Sequence, residues 1–179
     1  MTRALLLWLL LGLLPSCVRT TETHGIPNLS QVDPGVWRSG QPAGAEGWAY
    51  LKSLGVTRVV KLDFEHEASE DGARAVGIEI VYAAFEPDEN LLHTVEAPDP
   101  GNVDLAVAEL SKGGGVLFHC LHGQDRTGYV AGRYRVLHDH WSKTAAYHEM
   151  LGHGFHPELP GLQRAWDEFA PSESSKPSK

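Results

Sequence analysis

The chain has 179 residues, a formal net charge of −8, 42% hydrophobic residues and two cysteines. The acidic balance argues against nucleic acid or an anionic membrane surface as a partner. Two cysteines in an exported chain would ordinarily prompt one disulfide, but Cys17 and Cys120 each have another expected role, and the apolar content suffices for one compact domain with its own core.

Residues 1–16 read as a secretory leader. Arg3 supplies the positive start, Leu5 to Leu14 form an apolar run too short to span a bilayer, and polar chain resumes after Cys17. L-P-S-C, ending at Cys17, resembles the lipobox of bacterial lipoproteins. That resemblance implies lipid attachment at Cys17, export, and a membrane contact made only through the anchor, with the protein facing the periplasm or exterior. Pro15 is unusual in such a box and leaves ordinary signal-peptidase cleavage as the alternative. Losing residues 1–16 removes Arg3 and no acid, so the mature chain is one unit more negative. Residues 17–31 are polar and read as a tether, 32–170 as the folded domain, and 171–179, whose only apolar side chains are prolines, as a disordered tail.

Within the domain, Val36 to Arg38 reads as a short strand and Gly44 to Leu54 as a helix closed by Gly55. V-T-R-V-V-K-L, 56–62, is a β-branched strand. Ala68 to Val76 is helix or turn, and 78–82 a strand with Ile78, Ile80 and Tyr82 on one face. An acidic loop with three prolines follows over 83–100. A helix from about Asn102 to Leu110 leads to an apolar strand in G-G-G-V-L-F-H, 113–119. After residue 127, Val130, Tyr134 and Leu137 recur at helical spacing. Ser142 caps a helix running through Met150 to Gly152, and Pro160 to Phe169 forms the last one. Strands separated by helices predict a three-layer α/β fold, with a central, mostly parallel sheet of four to five strands flanked by helices. Ligands of such sheets bind beyond the carboxyl ends of the strands. A monomer is expected.

H-C-L-H-G-Q-D-R-T, 119–127, bridges a strand end and a helix start at that edge. Amides converging in such a turn, with the positive helix end behind them, welcome an anion and favour a thiolate at Cys120. Gly123 lets the backbone turn tightly, and Arg126 can lay a planar fork on two phosphate oxygens. Leu121, His122, Gly123, Gln124, Asp125 and Arg126 are therefore the candidate phosphate-binding residues. The bland alternative is a buried structural cysteine beside an ordinary turn.

The pattern H-C-x-x-G-x-x-R-T resembles the signature of the cysteine-dependent protein tyrosine phosphatase superfamily, in its small bacterial dual-specificity or phytase-like branch. W-R-S-G-Q-P at 37–42 and L-K-S-L-G-V-T-R-V-V-K-L at 51–62 are similar to the N-terminal part of that branch, and the likeness spans about residues 36–169. It implies that Cys120 attacks phosphorus to form a phosphocysteine, that Arg126 holds the equatorial oxygens, that Thr127 assists release and that His119 tunes the cysteine. It implies no metal and no cofactor.

An ester also needs a proton for its leaving oxygen. In the resembled family an aspartate on a mobile loop provides it, and Asp88 in F-E-P-D-E-N, 32 positions before Cys120, is the first choice. Glu86, Glu89 and Asp99 compete. Asp125 is the second candidate, because Asp-Arg-Thr is similar to the loop of myotubularin-type inositol lipid phosphatases; its bland role is to orient Arg126 or cap the helix. His122 can add positive charge at the pocket wall. These features resemble inositol-phosphate-cleaving offshoots as much as phosphotyrosine enzymes, so the expected substrate is a phosphorylated protein or an inositol phosphate. A catalytically weak phospho-ligand-binding module and a rhodanese-like sulfurtransferase are the rivals, the latter having a shorter loop in its common form. His138, His140, His148, His153 and His156 match no zinc spacing and read as solvent-facing.

Overall fold

The computed structural model describes residues 21–64, 68–85 and 98–171. The leader, Cys17, the candidate acids Glu86, Asp88 and Glu89, and residues 172–179 of the tail lie outside the described residues.

Two short antiparallel pairs open the domain. β1 (Glu22–Thr23) pairs with β2 (Ile26–Pro27), and β3 (Ser30–Asp33) with β4 (Val36–Ser39). This corrects the expectation of a tether over 17–31, because from residue 21 the chain is folded. Ile26 anchors the stretch, fully buried against Trp48 and Leu51. Strands of two to four residues are too short for polar alternation to declare them.

The remaining elements fall close to their expected places: α1 (Gly44–Ser53), β5 (Arg58–Lys61), α2 (Asp71–Ala75), β6 (Glu79–Tyr82), α3 (Pro100–Ser111), β7 (Val116–His119), α4 (Asp125–Leu137), α5 (Lys143–Gly152) and α6 (Pro160–Glu168). The start of α3 lies two residues before the expected one because the Asp99 carboxylate accepts the Asn102 N–H at 2.9 Å, with Pro100 in the first turn. Ser142 caps α5 as its sequence implies, accepting the Ala145 N–H at 3.1 Å.

The sheet order is β3-β4-β7-β5-β6, parallel from β4 to β6 with β3 antiparallel at the edge. The expected α/β architecture is therefore present, with five strands. Register fixes the faces: Arg38 and Val60 flank Phe118, while Ser39 and Lys61 flank His119. Residues two apart along a strand share a face. Val36, Val60, Val116 and Phe118 thus pack against Val103, Leu110, Val130 and Met150 of α3, α4 and α5, while Val59 and Leu117 pack against Trp48 and Leu51 of α1 and Ala73 of α2. Three layers result.

Two details lock the helical layer behind β7. Gly132 of α4 has no room for a side chain, since a Cβ there would lie 2.6 Å from the Met150 sulfur and 2.9 Å from the Trp166 ring. Arg135, largely buried on α4, grips Glu149 of α5 bidentately and Asp139 at 2.8 Å. Among the described residues no helix is long and apolar enough to cross a membrane.

Candidate active site

β7 ends at His119, and Cys120 is the first residue beyond the sheet edge, nearly buried at 4% exposure. The chain then bends through 121–124 into α4. Gly123 takes φ +74°, and a Cβ on it would lie 2.4 Å from the Gly40 nitrogen and 2.5 Å from the Ser39 carbonyl carbon. Only glycine fits a left-handed residue pressed against another backbone. Its N–H donates to the Cys120 Sγ at 3.3 Å.

Three successive carbonyls of this loop are held from outside by the N-terminal segment. The Leu121 oxygen accepts from the Gln41 N–H at 3.0 Å, the His122 oxygen from Asn28 Nδ2 at 2.8 Å, and the Gly123 oxygen from Arg38 Nη2 at 3.0 Å. In a planar trans peptide the C=O and the following N–H point oppositely. Pinning these carbonyls outward aims the N–H groups of His122, Gly123 and Gln124 inward, as the Gly123 contact to sulfur bears out. The cradle is built before any ligand arrives.

The other wall comes from the residues just past β5. Asp63, fully buried, accepts with one oxygen from the Leu121 N–H at 2.9 Å and from Arg126 Nη1 at 2.5 Å. Phe64 faces the same guanidinium, 5.7 Å from its ring centroid. Arg126 is thereby steered by a carboxylate and an aromatic ring. Sequence reasoning passed over Asp63. The signal for it is position: it directly follows a β-branched parallel strand, at the edge where ligands bind.

Beneath the opposite face lies a charged cluster. Glu70 sits 3.5 Å from both Lys61 Nζ and His119 Nε2, all three at 1% exposure or less, and Lys61 also donates to the Ala68 carbonyl. Trp48 meets the His119 ring edge-on. Burial opposes ionisation of Glu70, but the His119 and Lys61 partners outweigh it and hold the carboxyl below its ordinary range.

Of the other expected site residues, Thr127 is fully buried in the first turn of α4, its hydroxyl without a hydrogen-bond partner among the described residues. Asp125 turns toward the segment between α5 and α6, accepting from the His156 N–H at 2.8 Å and lying 3.0 Å from the His156 Nδ1. Gln124 leans against Gly154 in that segment. Leu121 and His122 are exposed at the mouth. Asp99 is engaged as the α3 cap, and Asp88 lies outside the described residues. The structure thus brings together Cys120, the loop amides and Arg126.

Known proteins resemble this chain in sequence and in fold. A family model described as the tyrosine phosphatase family matches residues 25–137. The dual specificity protein phosphatase TpbA of Pseudomonas aeruginosa is 32% identical over 133 residues, 73% of this chain and 56% of that protein. The chain spans about half the length of the curated relatives it matches. Among solved structures, TpbA superposes with a TM-score of 0.64 at 24% identity, covering 84% of this chain and 89% of that one. The core catalytic domain of the PP-IP phosphatase SIW14 from S. cerevisiae gives 0.65 at 21% identity, covering 82% and 87%. A putative phosphatase from Shewanella putrefaciens gives 0.62 at 24%, covering 80% and 91%. These structural likenesses speak for the fold. From the matched family model and the identity to TpbA, the chain belongs to the tyrosine phosphatase family.

Proposed function

We propose that this chain is a cysteine-dependent phosphoric monoester hydrolase, working through a Cys120 phosphocysteine. The observation that carries the reading is the preformed cradle: a nearly buried cysteine receiving a loop N–H, beside an arginine fork already steered toward the same loop. In the first step the thiolate attacks phosphorus, the P–O bond to the leaving group breaks, and a carboxylic acid protonates that oxygen. Inward amides and Arg126 stabilise the charge on the equatorial oxygens. Water then attacks phosphorus, the P–S bond breaks and phosphate leaves, with Thr127 assisting the departing sulfur.

Asp88 is the proposed proton donor. Asp125 is the second candidate, and its engagement with His156 weighs toward a structural part for it. Phosphotyrosine is the first proposed substrate, because Phe64 and the exposed Leu121 offer apolar contact for an aromatic ester near Arg126. The relative TpbA has been crystallised with phosphotyrosine. Inositol phosphates are the second reading, supported by the likeness to a PP-IP phosphatase. Export and lipid attachment at Cys17 complete the proposal, supported by the leader and the L-P-S-C sequence.

The test is phosphate release from p-nitrophenyl phosphate, a phosphotyrosine peptide and inositol hexakisphosphate, with Cys120→Ser, Asp88→Asn and Asp125→Asn beside the parent chain. Turnover abolished in Cys120→Ser is expected, with Asp88→Asn slowing the poor leaving group more than p-nitrophenolate. Equal activity in Cys120→Ser, or tight ester binding without release by the parent, would overturn the assignment and favour a phospho-ligand-binding module.

A further inference from the structure

We propose that Arg38, in the strand beside the nucleophile's strand, is a positioning residue of the reaction: its buried guanidinium is the fixed counter-charge of the Cys120 thiolate and, through the Gly123 carbonyl, aims the Gln124 N–H into the cradle. This rests on the phosphatase reading given above.

The placement follows from register. Arg38 stands opposite Phe118 in parallel strands, so the two side chains leave the sheet on the same face. Cys120, two residues after Phe118, continues that face, and it belongs with Val36, Val60 and Phe118 to the same packed cluster. Arg38 is therefore on the nucleophile's side of the sheet, beneath the loop. Its one donation among the described residues, from Nη2 to the Gly123 oxygen at 3.0 Å, goes to the residue whose own N–H reaches the Cys120 sulfur.

The charge balance is unusual. Arg38 is 1% exposed, and its Nε and Nη1 have no hydrogen-bond partner among the described residues. A buried guanidinium without a matching anion is strongly unfavourable. The ionisable groups facing it are Glu149 of α5, Arg135 of α4, His153 just past α5, and Cys120. Glu149 is held bidentately by Arg135. Burial lowers the Arg38 guanidinium to about 10, with Glu149 and Cys120 raising it and Arg135 lowering it further. It therefore stays charged at neutral pH. His153 is pushed down by burial first and by Arg38 next, so it does not take a proton readily. On the mouth side of the sulfur stand Arg126, paired with Asp63, and across the sheet the Lys61–Glu70–His119 cluster. The thiolate, or the phosphate that replaces its charge, completes the balance for Arg38.

The test reads the thiol directly. The rate of Cys120 alkylation by iodoacetamide is measured against pH for the full chain carrying Cys17→Ser, with Arg38→Met, Arg38→Gln and Arg38→Lys added singly, and a thermal melt for each. Met and Gln both remove the charge, one with an apolar and the other with a polar side chain, whereas Lys keeps the charge without the fork. The expected result is an alkylation midpoint raised by about one pH unit in Arg38→Met and Arg38→Gln, with roughly tenfold slower alkylation below the midpoint, and a midpoint near the parent's in Arg38→Lys. The acid limb of kcat/KM on p-nitrophenyl phosphate moves with it. Folded Arg38→Gln or Arg38→Met with an unmoved midpoint would overturn the proposal, even with a lowered melting temperature, since that is the mark of a packing role alone. If Arg38→Met does not fold, the Gln and Lys variants decide. Failure of the phosphatase reading appears separately, as Cys120-independent turnover, and leaves the alkylation result intact.

Discussion

Replacing Asp63 with asparagine tests whether the second wall of the cradle acts in catalysis. The carboxylate is fully buried and serves two donors with one oxygen, the Leu121 N–H at 2.9 Å and Arg126 Nη1 at 2.5 Å. Asparagine keeps an acceptor oxygen of the same reach, so both hydrogen bonds can survive and only the charge is lost. The difference between a charge-assisted and a neutral hydrogen bond is about 1–1.5 kcal/mol per donor. Two donors give roughly 2–3 kcal/mol. If that energy holds Arg126 ready for the phosphoryl group, kcat/KM falls by about 30- to 150-fold. Asp63→Ala removes this carboxylate from the half-buried Arg126 guanidinium and costs about 3–5 kcal/mol. The assay is kcat/KM on p-nitrophenyl phosphate together with the inhibition constant for orthovanadate and a thermal melt. Orthovanadate should bind correspondingly more weakly to Asp63→Asn. Unchanged turnover with tighter orthovanadate binding would refute the reasoning, because it would mean that Asp63 competes with the ligand for these donors.

Gly123→Ala combines left-handed strain of about 1–2 kcal/mol with a backbone clash worth about 1–3 kcal/mol, so a loss of roughly 2–5 kcal/mol is expected by chemical denaturation. Gly55→Ala is its control, with φ +86° but open space around it, and should lose only the strain. Glu70 governs acid stability. Its folded carboxyl is held below the ordinary range by His119 and Lys61 against the opposing effect of burial. A depressed acid contributes stability that is present above its unfolded value of about 4.3 and lost as pH falls through the folded one. Glu70→Gln, leaving Lys61 without its anion, should melt well below the parent at pH 7, and the gap should narrow below about pH 4.3. A gap of constant size across that range would contradict the linkage.

The loop from His119 to Thr127 was legible in the sequence because its chemistry is local: one strand end, one glycine, one helix start, and side chains within nine positions. The order of α1, β5, β6, α3, β7, α4, α5 and α6 was legible for the same reason, each element carrying its own periodicity, breaker or cap. What the sequence hid is what depends on neighbours across the sheet. Arg38, Lys61 and Glu70 have the composition of surface residues and are buried. For Arg38 and Lys61 only the pairing of β4 and β5 with β7 says so, and Glu70 follows by its contact with Lys61. Asp63 likewise becomes a site residue only when Arg126 is folded over it. The N-terminal segment hid behind its polarity, for its value lies in the Asn28 side chain and the Gln41 backbone N–H as donors to the loop, and no hydrophobic pattern marks a donor.

The stitches that hold the loop span most of the domain: Asn28 reaches His122 across 94 positions, Arg38 reaches Gly123 across 85, and Asp63 reaches Leu121 across 58. Closing such long segments costs chain entropy that no local turn can recover. The nine-residue motif by itself is therefore a flexible peptide with a cysteine and an arginine, and its amides converge only once the sheet has closed around them. Competence arrives late in folding and leaves early in unfolding, which makes turnover a reporter on the cooperativity of the whole domain.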